Sequence, residues 1–268
     1  MTSSESAQYA ALHGGFHVAP GHFTYHATAD GSSIFEHFHR SAGSWPEFTQ
    51  AVLASPQKVK VIYFLRHAEG EHNAAKVRLG AEVWFRDVAC TDLYLDARLT
   101  AKGEAAAAQA SIRLGKELEN GMPLQKVLVS PLLRTLQTAA TVFARQIGAV
   151  PFVAMELCRE TMGKHTCDKR SPVTTMEPLF PMVDFSQMKD NEDMLWRADV
   201  RESLDDIQTR AVAFLRQVYD EVPETFVAVT SHVGFIGACL RVLEQPEYRV
   251  GNCEIVPVVL EMAATSPL

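Results

Sequence analysis

The organisation of the chain can be inferred outward from one run of residues, Val59-Lys60-Val61-Ile62-Tyr63-Phe64-Leu65-Arg66-His67-Ala68-Glu69-Gly70-Glu71-His72-Asn73. Its first half is apolar, β-branched and aromatic, which is typical of a buried central strand. The run then ends in a cation, an imidazole and a carboxylate, followed by a glycine. In open α/β sheets, ligands bind at the carboxyl ends of strands, where the chain turns toward the next helix. The pattern therefore favours a site at Arg66 and His67, and the alternative is a polar surface loop.

Two further apolar runs end in polar residues in the same way. One leads into Ser130, with Arg134 in the first turn of the next helix, and another leads into Ser231 and His232. Because the carboxyl ends of parallel strands meet at one sheet edge, two imidazoles and two guanidiniums should gather there. Guanidiniums bind phosphate oxygens bidentately, a neutral imidazole is a nucleophile near pH 7, and helix N-termini add N–H donors. The sequence thus predicts a site for a phosphoryl group.

The chemistry also requires a proton donor for the departing alkoxide. Glu160, at the start of an irregular segment, is the candidate general acid. The alternative is a structural ion pair of Glu160 with Arg159 or Lys164. Lys169 and Arg170 either bind a second anionic group of the substrate or only solvate a loop.

Strands alternate with helices along the chain, which predicts an α/β fold of three layers, with helices on both faces of a mostly parallel central sheet. We assign this domain to residues 58–268, with an irregular insertion at about 157–200. Residues 1–57 form an N-terminal extension that carries six of the ten histidines and several phenylalanines. We expect it to pack on the core, because these phenylalanines would otherwise expose a large apolar patch. A metal site at His37 and His39 is the less favoured alternative.

Composition restricts the class of protein. The chain has 268 residues, 47% hydrophobic and 21% charged, with a net charge of -7, which argues against a nucleic-acid partner. Its five cysteines are odd in number and scattered, and no secretory signal follows Met1, so we expect reduced thiols and a cytoplasmic location. No apolar run approaches the ~20 residues of a membrane span. We expect a small phosphorylated substrate and no metal or cofactor, and the oligomeric state stays open.

The polar ends of the strands resemble known motifs. Arg66-His67-Ala68-Glu69, with Asn73 after it, resembles the signature of the histidine phosphatase (phosphoglycerate mutase-like) superfamily. Three further segments resemble motifs of that family in the same order: Leu99-Thr100 with Gly103, Ser130-Pro131-Leu132-Leu133-Arg134-Thr135-Leu136-Gln137-Thr138-Ala139, and Ser231-His232-Val233-Gly234-Phe235. The resemblance extends over about residues 61–235. Ala68 stands where the family usually has Gly, and Ala106 where it tends to have Gln.

The resemblance implies that His67 is the phosphorylated nucleophile and that Glu160 is the proton donor. The other members of the implied phosphate pocket are Arg66, Asn73, Arg134 and His232. This would make the protein a metal-independent phosphomonoesterase with a phosphohistidine intermediate. The alternatives are a phosphoglycerate-type mutase, which usually needs a closing lid, and a non-catalytic scaffold that binds phosphorylated ligands.

A later segment resembles a plant and fungal branch of cytosolic mutase-like proteins. The residues that carry this finer resemblance are His165, Cys167, Asp168, Lys169, Arg170, Trp196, Asp199, Arg201 and Glu202. His165 and Cys167 also resemble half of a metal site, although a structural role is the favoured interpretation of this pair.

Overall fold

The computed structural model describes residues 14–262, and within this range nine strands form two sheets. The strands are β1 (Phe16–Val18), β2 (Phe23–Asp30), β3 (Glu36–Arg40), β4 (Lys60–Arg66), β5 (Lys126–Val129), β6 (Phe152–Ala154), β7 (Val183–Asp184), β8 (Phe226–Ser231) and β9 (Ile255–Met262). β2 and β3 form an antiparallel hairpin. The other seven strands form the central sheet in the order β1-β9-β4-β8-β5-β6-β7.

The central sheet is mostly parallel. Strands β4, β8, β5, β6 and β7 pair in parallel, whereas β9 pairs antiparallel with both β4 and β1. β4 lies between β9 and β8, and every side chain from Val61 to Leu65 is fully buried. The continuous apolar sequence of β4 is what a central strand with two covered faces requires.

Helices cover both faces of this sheet, as the alternating pattern predicts. The helices are α1 (Trp45–Leu53), α2 (Glu71–Leu79), α3 (Ala81–Val83), α4 (Ala101–Glu119), α5 (Leu133–Val142), α6 (Val173–Met176), α7 (Leu204–Glu221) and α8 (Val233–Val242). Val61, Tyr63 and Leu65 of β4 belong to one core cluster with residues of α1, α4 and α5. Ile62 and Phe64 belong to a second cluster with residues of α7 and α8. Alternate side chains of one strand therefore enter opposite cores, and the predicted three-layer α/β fold is confirmed.

The described part of the N-terminal extension is joined to this domain. β1 is an edge strand of the central sheet, paired with β9. The hairpin lies over the core through Phe35, whose ring centroid is 5.6 Å from that of Trp45 and 6.2 Å from that of Tyr63. These contacts bury Phe35 almost completely. Residues 1–13 lie outside the described range, and the division of the chain at residue 57 stays a prediction.

The irregular segment at about 157–200 contains short 3₁₀ turns, α6 and β7. Its anchor is Arg159, which is fully buried and forms an ion pair with the equally buried side chain of Asp193 (Nη2–Oδ2 2.5 Å). Breaking a buried pair by removing one partner is strongly destabilising, so this contact holds the start and the end of the segment together. In residues 14–262, no helix combines the length and the apolar character needed to cross a membrane.

Candidate active site

Three parallel strands deliver the predicted site residues to one edge of the sheet. Arg66 ends β4 opposite Ser231 of β8, and the backbone N–H of His67 donates to the Ser231 carbonyl (3.0 Å). The rings of His67 and His232 lie with their centroids 5.0 Å apart. Ser130, which follows β5, lies 2.8 Å from Nε2 of His232 through its hydroxyl oxygen. The structure thus brings the ends of β4, β5 and β8 together.

His67 is buried and held in one tautomer. Its Nδ1 lies 2.6 Å from the carbonyl oxygen of Ala68. Because a carbonyl only accepts hydrogen bonds, Nδ1 carries the proton and Nε2 keeps its lone pair. Burial, then the positive charges of Arg134 and Arg66, hold the pKa of His67 well below its ordinary value. The ring is therefore neutral at physiological pH, with Nε2 available as a nucleophile.

His232 is fully buried next to His67 and begins α8 as its N-cap residue. Burial, followed by the charge of Arg134 and by His67, places its pKa well below the ordinary value. Its Nδ1 has no hydrogen-bond partner among residues 14–262. His232 therefore remains neutral, with one buried ring nitrogen free to interact with a ligand.

Two guanidinium groups supply the positive charge of the site. Arg134 is fully buried, donates to the Cys167 carbonyl (2.6 Å) and forms an ion pair with Asp168 (3.0 Å). Arg66 donates through Nη1 to the Val250 carbonyl (2.9 Å). The Nε atoms of both arginines are buried and have no partner in the described part of the chain. Since an unpaired buried donor is costly, two such cationic donors beside a neutral imidazole suit an anionic ligand.

Asp168 was absent from the sequence-based site, yet it positions two cations. Its carboxylate binds Arg134 through Oδ1 and Arg201 through Oδ2 (2.8 Å). These two arginines lower the pKa of Asp168 even though burial acts in the opposite direction. Asp168 therefore stays ionised and fixes the orientation of the Arg134 guanidinium.

Glu160 lies between the phosphate pocket and the start of α8. One carboxylate oxygen accepts from the Thr161 N–H (2.8 Å), and the other accepts from the Gly234 N–H (3.3 Å). The charge of Glu160 also acts on Arg66, where it opposes the lowering of that pKa by burial. This position, next to the strand-end residues, is compatible with proton donation to a departing oxygen.

The alternative ion pair of Glu160 is not found within residues 14–262. Arg159 pairs with Glu156 and Asp193 instead, and Lys164 forms no ion pair there. A contact of Glu160 with the first turn of α8 takes its place.

His72 is a site residue that the sequence analysis missed. Its ring centroid lies 6.0 Å from that of His67. Asn73 accepts from the Gly70 N–H through Oδ1 (3.0 Å), so its Nδ2 donates to Nε2 of His72 (2.9 Å). Nδ1 of His72 then carries the proton, and it is buried without a partner among the described residues. Burial, then Arg134, lowers the pKa of His72 to about 3.

The structure thus places Asn73 beside His72. The side-chain amide of Asn73 forms hydrogen bonds with Gly70 and His72, within the loop and helix start that follow β4. The predicted contact of Asn73 with phosphate remains a prediction. The signal for His72 was its position in the same motif, one residue before Asn73.

The two residues suggested for a second anionic group differ in their surroundings. Lys169 is partly exposed, with Nζ 5.1 Å from the centroid of the Trp196 ring. Arg170 is buried and donates to Glu156 (2.7 Å) and to backbone carbonyls of residues 171 and 190–192. This geometry favours a structural role for Arg170, which joins two parts of the insertion to each other and to Glu156, in the turn after β6. His165 packs on Phe85 (5.5 Å between centroids), also a structural contact.

One group of side chains in the described range could hold a metal ion. Potential ligand atoms of Glu36, His37 and Glu254 lie within 4.8 Å of one another. However, Glu36 already pairs with Arg113 (3.1 Å). Both Glu254 oxygens accept hydrogen bonds, from the Tyr248 hydroxyl and the Gly251 N–H. The alternative pairing of His37 with His39 is not formed, since the ring of His39 stacks on His26.

Comparisons with known proteins show which proteins the chain is similar to. The chain is 30% identical over 240 residues to a phosphoglycerate mutase-like protein of Arabidopsis thaliana, across 76% of this chain and 85% of the relative. It is 31% identical over 223 residues to a probable phosphoglycerate mutase of Arthroderma benhamiae, across 80% and 67% of the two chains. The crystal structure of the ecdysone phosphate phosphatase of Bombyx mori covers 74% of this chain and 88% of its own, with a TM-score of 0.48 and 17% identity. The model of the histidine phosphatase superfamily (branch 1) matches residues 62–261. The resemblance inferred from the motifs is confirmed, and the chain belongs to the histidine phosphatase superfamily.

Proposed function

We propose that the protein is a phosphomonoesterase that works through a phosphohistidine at His67. The observation that carries the proposal is the tautomer of this ring: Nδ1 donates to the Ala68 carbonyl, so the lone pair belongs to Nε2. The buried Nε donors of Arg66 and Arg134 lie beside it without partners in residues 14–262. A neutral nucleophile surrounded by cationic donors suits attack on a phosphoryl group, whose oxygens these donors would bind.

The reaction has two steps. In the first, Nε2 of His67 attacks phosphorus and the P–O bond to the alcohol breaks, while Glu160 donates its proton to the departing oxygen. In the second, Glu160 takes a proton from water, the oxygen of that water attacks phosphorus, and the P–N bond breaks. Inorganic phosphate leaves, and His67 and Glu160 return to their starting states. Arg66 and Arg134 supply the positive charge throughout, so the proposed chemistry requires no metal ion.

Hydrolysis is favoured over mutase activity by the irregular segment of residues 157–200. A mutase must keep its phosphohistidine from water while the substrate turns, which usually requires a lid that closes. Here the segment is held against the domain by the buried Arg134–Asp168 ion pair and by Asp96, whose carboxylate accepts from the Ser171 N–H (2.7 Å). A scaffold without activity is disfavoured because Arg66, His67, Arg134 and His232 are all present and brought together.

The decisive experiment compares His67→Ala with wild type on p-nitrophenyl phosphate in the presence of a chelator. We expect wild-type turnover to persist and His67→Ala to lose about 1,000-fold or more in kcat, because the covalent intermediate cannot form. Alkaline quenching after mixing with labelled substrate should trap phosphohistidine only in wild type, because the P–N bond is stable in base and hydrolyses in acid. His26→Ala, which alters an exposed histidine of β2, is the matched control. Trapped label in His67→Ala, or chelator-sensitive activity restored by a divalent cation, would contradict the proposal.

A further inference from the structure

A cavity of about 280 Å³ adjoins the carboxylate of Glu160. Thr161 and Gly234 line this cavity, and their backbone N–H groups are the two that donate to the Glu160 carboxylate. Glu160 does not itself line the cavity, but it is hydrogen-bonded to two residues that do, and its charge acts on Arg66 in the pocket around His67. In the proposed reaction, the proton of Glu160 goes to the ester oxygen, so the alcohol part of the substrate must lie on the side of Glu160.

The walls of the cavity are largely apolar. The apolar side chains that line it are Leu204, Ile207, Val233, Leu240, Pro246 and Tyr248. Leu204, at the edge of the cavity, is 67% exposed and so adds apolar surface that a ligand in the cavity could contact. A volume just below the roughly 300 Å³ of the smallest ligand pockets fits an organic group of moderate size.

Two arginines give the outer part of the cavity its charge. Arg241 and Arg249 line it and are exposed, and neither forms an ion pair with another described residue. Arg249 also lies close enough to Arg66 to contribute to the lowering of that pKa. Glu247 is the acidic member of the lining, so the two guanidiniums leave an excess of positive charge.

We propose that this cavity receives the leaving group of the substrate, an alcohol or phenol with an apolar body and a negatively charged group at its far end. This inference rests on the proposed phosphatase function and specifies its substrate class. The apolar body contacts the walls at Leu204 and Leu240, and the charged group reaches Arg241 and Arg249. A phosphoglycerate has no apolar body to bury, so the cavity selects against the mutase substrate.

Gly237 allows the cavity to be filled without disturbing the fold. It lies in α8 and lines the cavity, and a Cβ added there would meet no atom within 4 Å. Leucine has a higher helix propensity than glycine, so Gly237→Leu should fold. We expect Gly237→Leu to lower kcat/KM for 1-naphthyl phosphate at least about 10-fold relative to phenyl phosphate, because the larger ring loses its space. The matched control is Gly31→Leu, in the turn after β2, where a Cβ also meets nothing within 4 Å.

The arginines are tested by a second pair of substrates. Wild type should prefer a naphthyl phosphate that carries a carboxylate over plain 1-naphthyl phosphate. Arg241→Ala and Arg249→Ala together should reduce this preference about 5- to 20-fold, the usual effect of losing hydrogen bonds to a charged group. Vanadate inhibition should be unchanged in Gly237→Leu and in Gly31→Leu, which shows that the pocket around His67 is intact in these two variants.

The outcomes separate the two proposals. Phosphate release from the aryl esters with unchanged substrate ratios in Gly237→Leu and in the arginine variant overturns the assignment of the cavity but leaves the phosphatase proposal standing. Wild-type protein that hydrolyses none of the aryl esters overturns the proposed function, and the cavity assignment with it. Loss of naphthyl selectivity in Gly237→Leu but not in Gly31→Leu supports the assignment.

Discussion

At the scale of single residues, the geometry of the site depends on which side-chain atoms already form hydrogen bonds or ion pairs within the protein. The Nδ1–H of His67 donates a hydrogen bond to the Ala68 carbonyl, and the carboxylate of Asp168 forms ion pairs with Arg134 and Arg201. These contacts fix the nucleophile and one cation before any ligand arrives. Preorganised groups of this kind need no rearrangement during the reaction, which is the main source of electrostatic stabilisation in enzymes.

Gly234 offers a test of Glu160 that moves the carboxylate without changing its chemical nature. A Cβ at Gly234 would stand 2.2 Å from Oε1 of Glu160, so Gly234→Ala must displace this side chain. We expect hydrolysis of glycerol phosphate, whose alkoxide needs a proton to leave, to fall about 100-fold. Hydrolysis of p-nitrophenyl phosphate should change less than about 3-fold, since nitrophenolate departs without a proton. A kinetic comparison of the two substrates measures the difference.

Gly31→Ala, in open space, is the control for this substitution. An equal loss on both substrates in Gly234→Ala would indicate general damage to the site. No loss on either substrate would show that another group donates the proton.

The sequence predicted some site residues because their positions follow from strand ends alone. Arg66, His67 and His232 each lie where a buried apolar run stops, so a parallel sheet brings them together. The ion pair of Arg134 with Asp168 could not be predicted, because 34 positions separate the two residues and no periodicity fixes where the irregular segment that carries Asp168 folds back. For the same reason the sequence could not show whether Arg170 forms buried contacts or lies in a solvated loop.

At the scale of elements, α4 buttresses the loop that carries His67. Its first turn lies against the backbone of Glu69: Thr100 donates through its backbone N–H to the Glu69 carbonyl (3.0 Å). Gly103, one turn on, approaches so closely that a Cβ would stand 2.1 Å from the same carbonyl oxygen. The motif Leu99-Thr100 with Gly103 is thus explained by close contact between a helix and the loop that carries His67.

Gly103→Ala should therefore destabilise the protein, although alanine favours helices over glycine. We expect the free energy of unfolding to fall by about 2 kcal/mol, because backbone cannot yield as a flexible side chain can. In the same helix, a Cβ at Gly115 meets only the end of the Arg145 side chain (2.9 Å), which is exposed. Gly115→Ala should gain up to about 1 kcal/mol from helix propensity. Urea denaturation of both variants gives the comparison, and a stabilised Gly103→Ala would contradict the proposed contact.

The sequence predicted the buried strands of the central sheet but not the exposed hairpin. β4, β5 and β8 were evident because buried parallel strands have continuous apolar sequences. The hairpin of β2 and β3 was not identified, because residues of β2 are mostly exposed and its sequence, Phe-Thr-Tyr-His-Ala-Thr-Ala-Asp, gives little apolar periodicity. We expected the N-terminal extension to pack on the core only because of its phenylalanines. One of them, Phe35, belongs to the hydrophobic core.

At the scale of the whole molecule, the site reduces stability at acidic pH. Three histidines, His67, His72 and His232, have lowered pKa values in the folded protein, mainly because of burial. Each would titrate near pH 6.5 when unfolded. Below that pH the unfolded chain binds more protons than the folded one, so the free energy of unfolding falls as pH falls. The same burial keeps the His67 ring neutral, as the proposed nucleophilic attack requires.

His72 allows this contribution to be isolated, because its folded pKa is about 3. Between pH 6.5 and pH 3 it is protonated only in the unfolded chain, so moving from pH 7.5 to pH 5.5 should cost wild type about 1 kcal/mol through this group. In His72→Asn that contribution is absent. We therefore expect the free energy of unfolding, measured by urea denaturation, to fall by about 1 kcal/mol less in the variant over this interval. Equal losses in the two proteins would mean that His72 takes up its proton in the folded state near pH 6, and that its ring is exposed to water instead of enclosed beside His67.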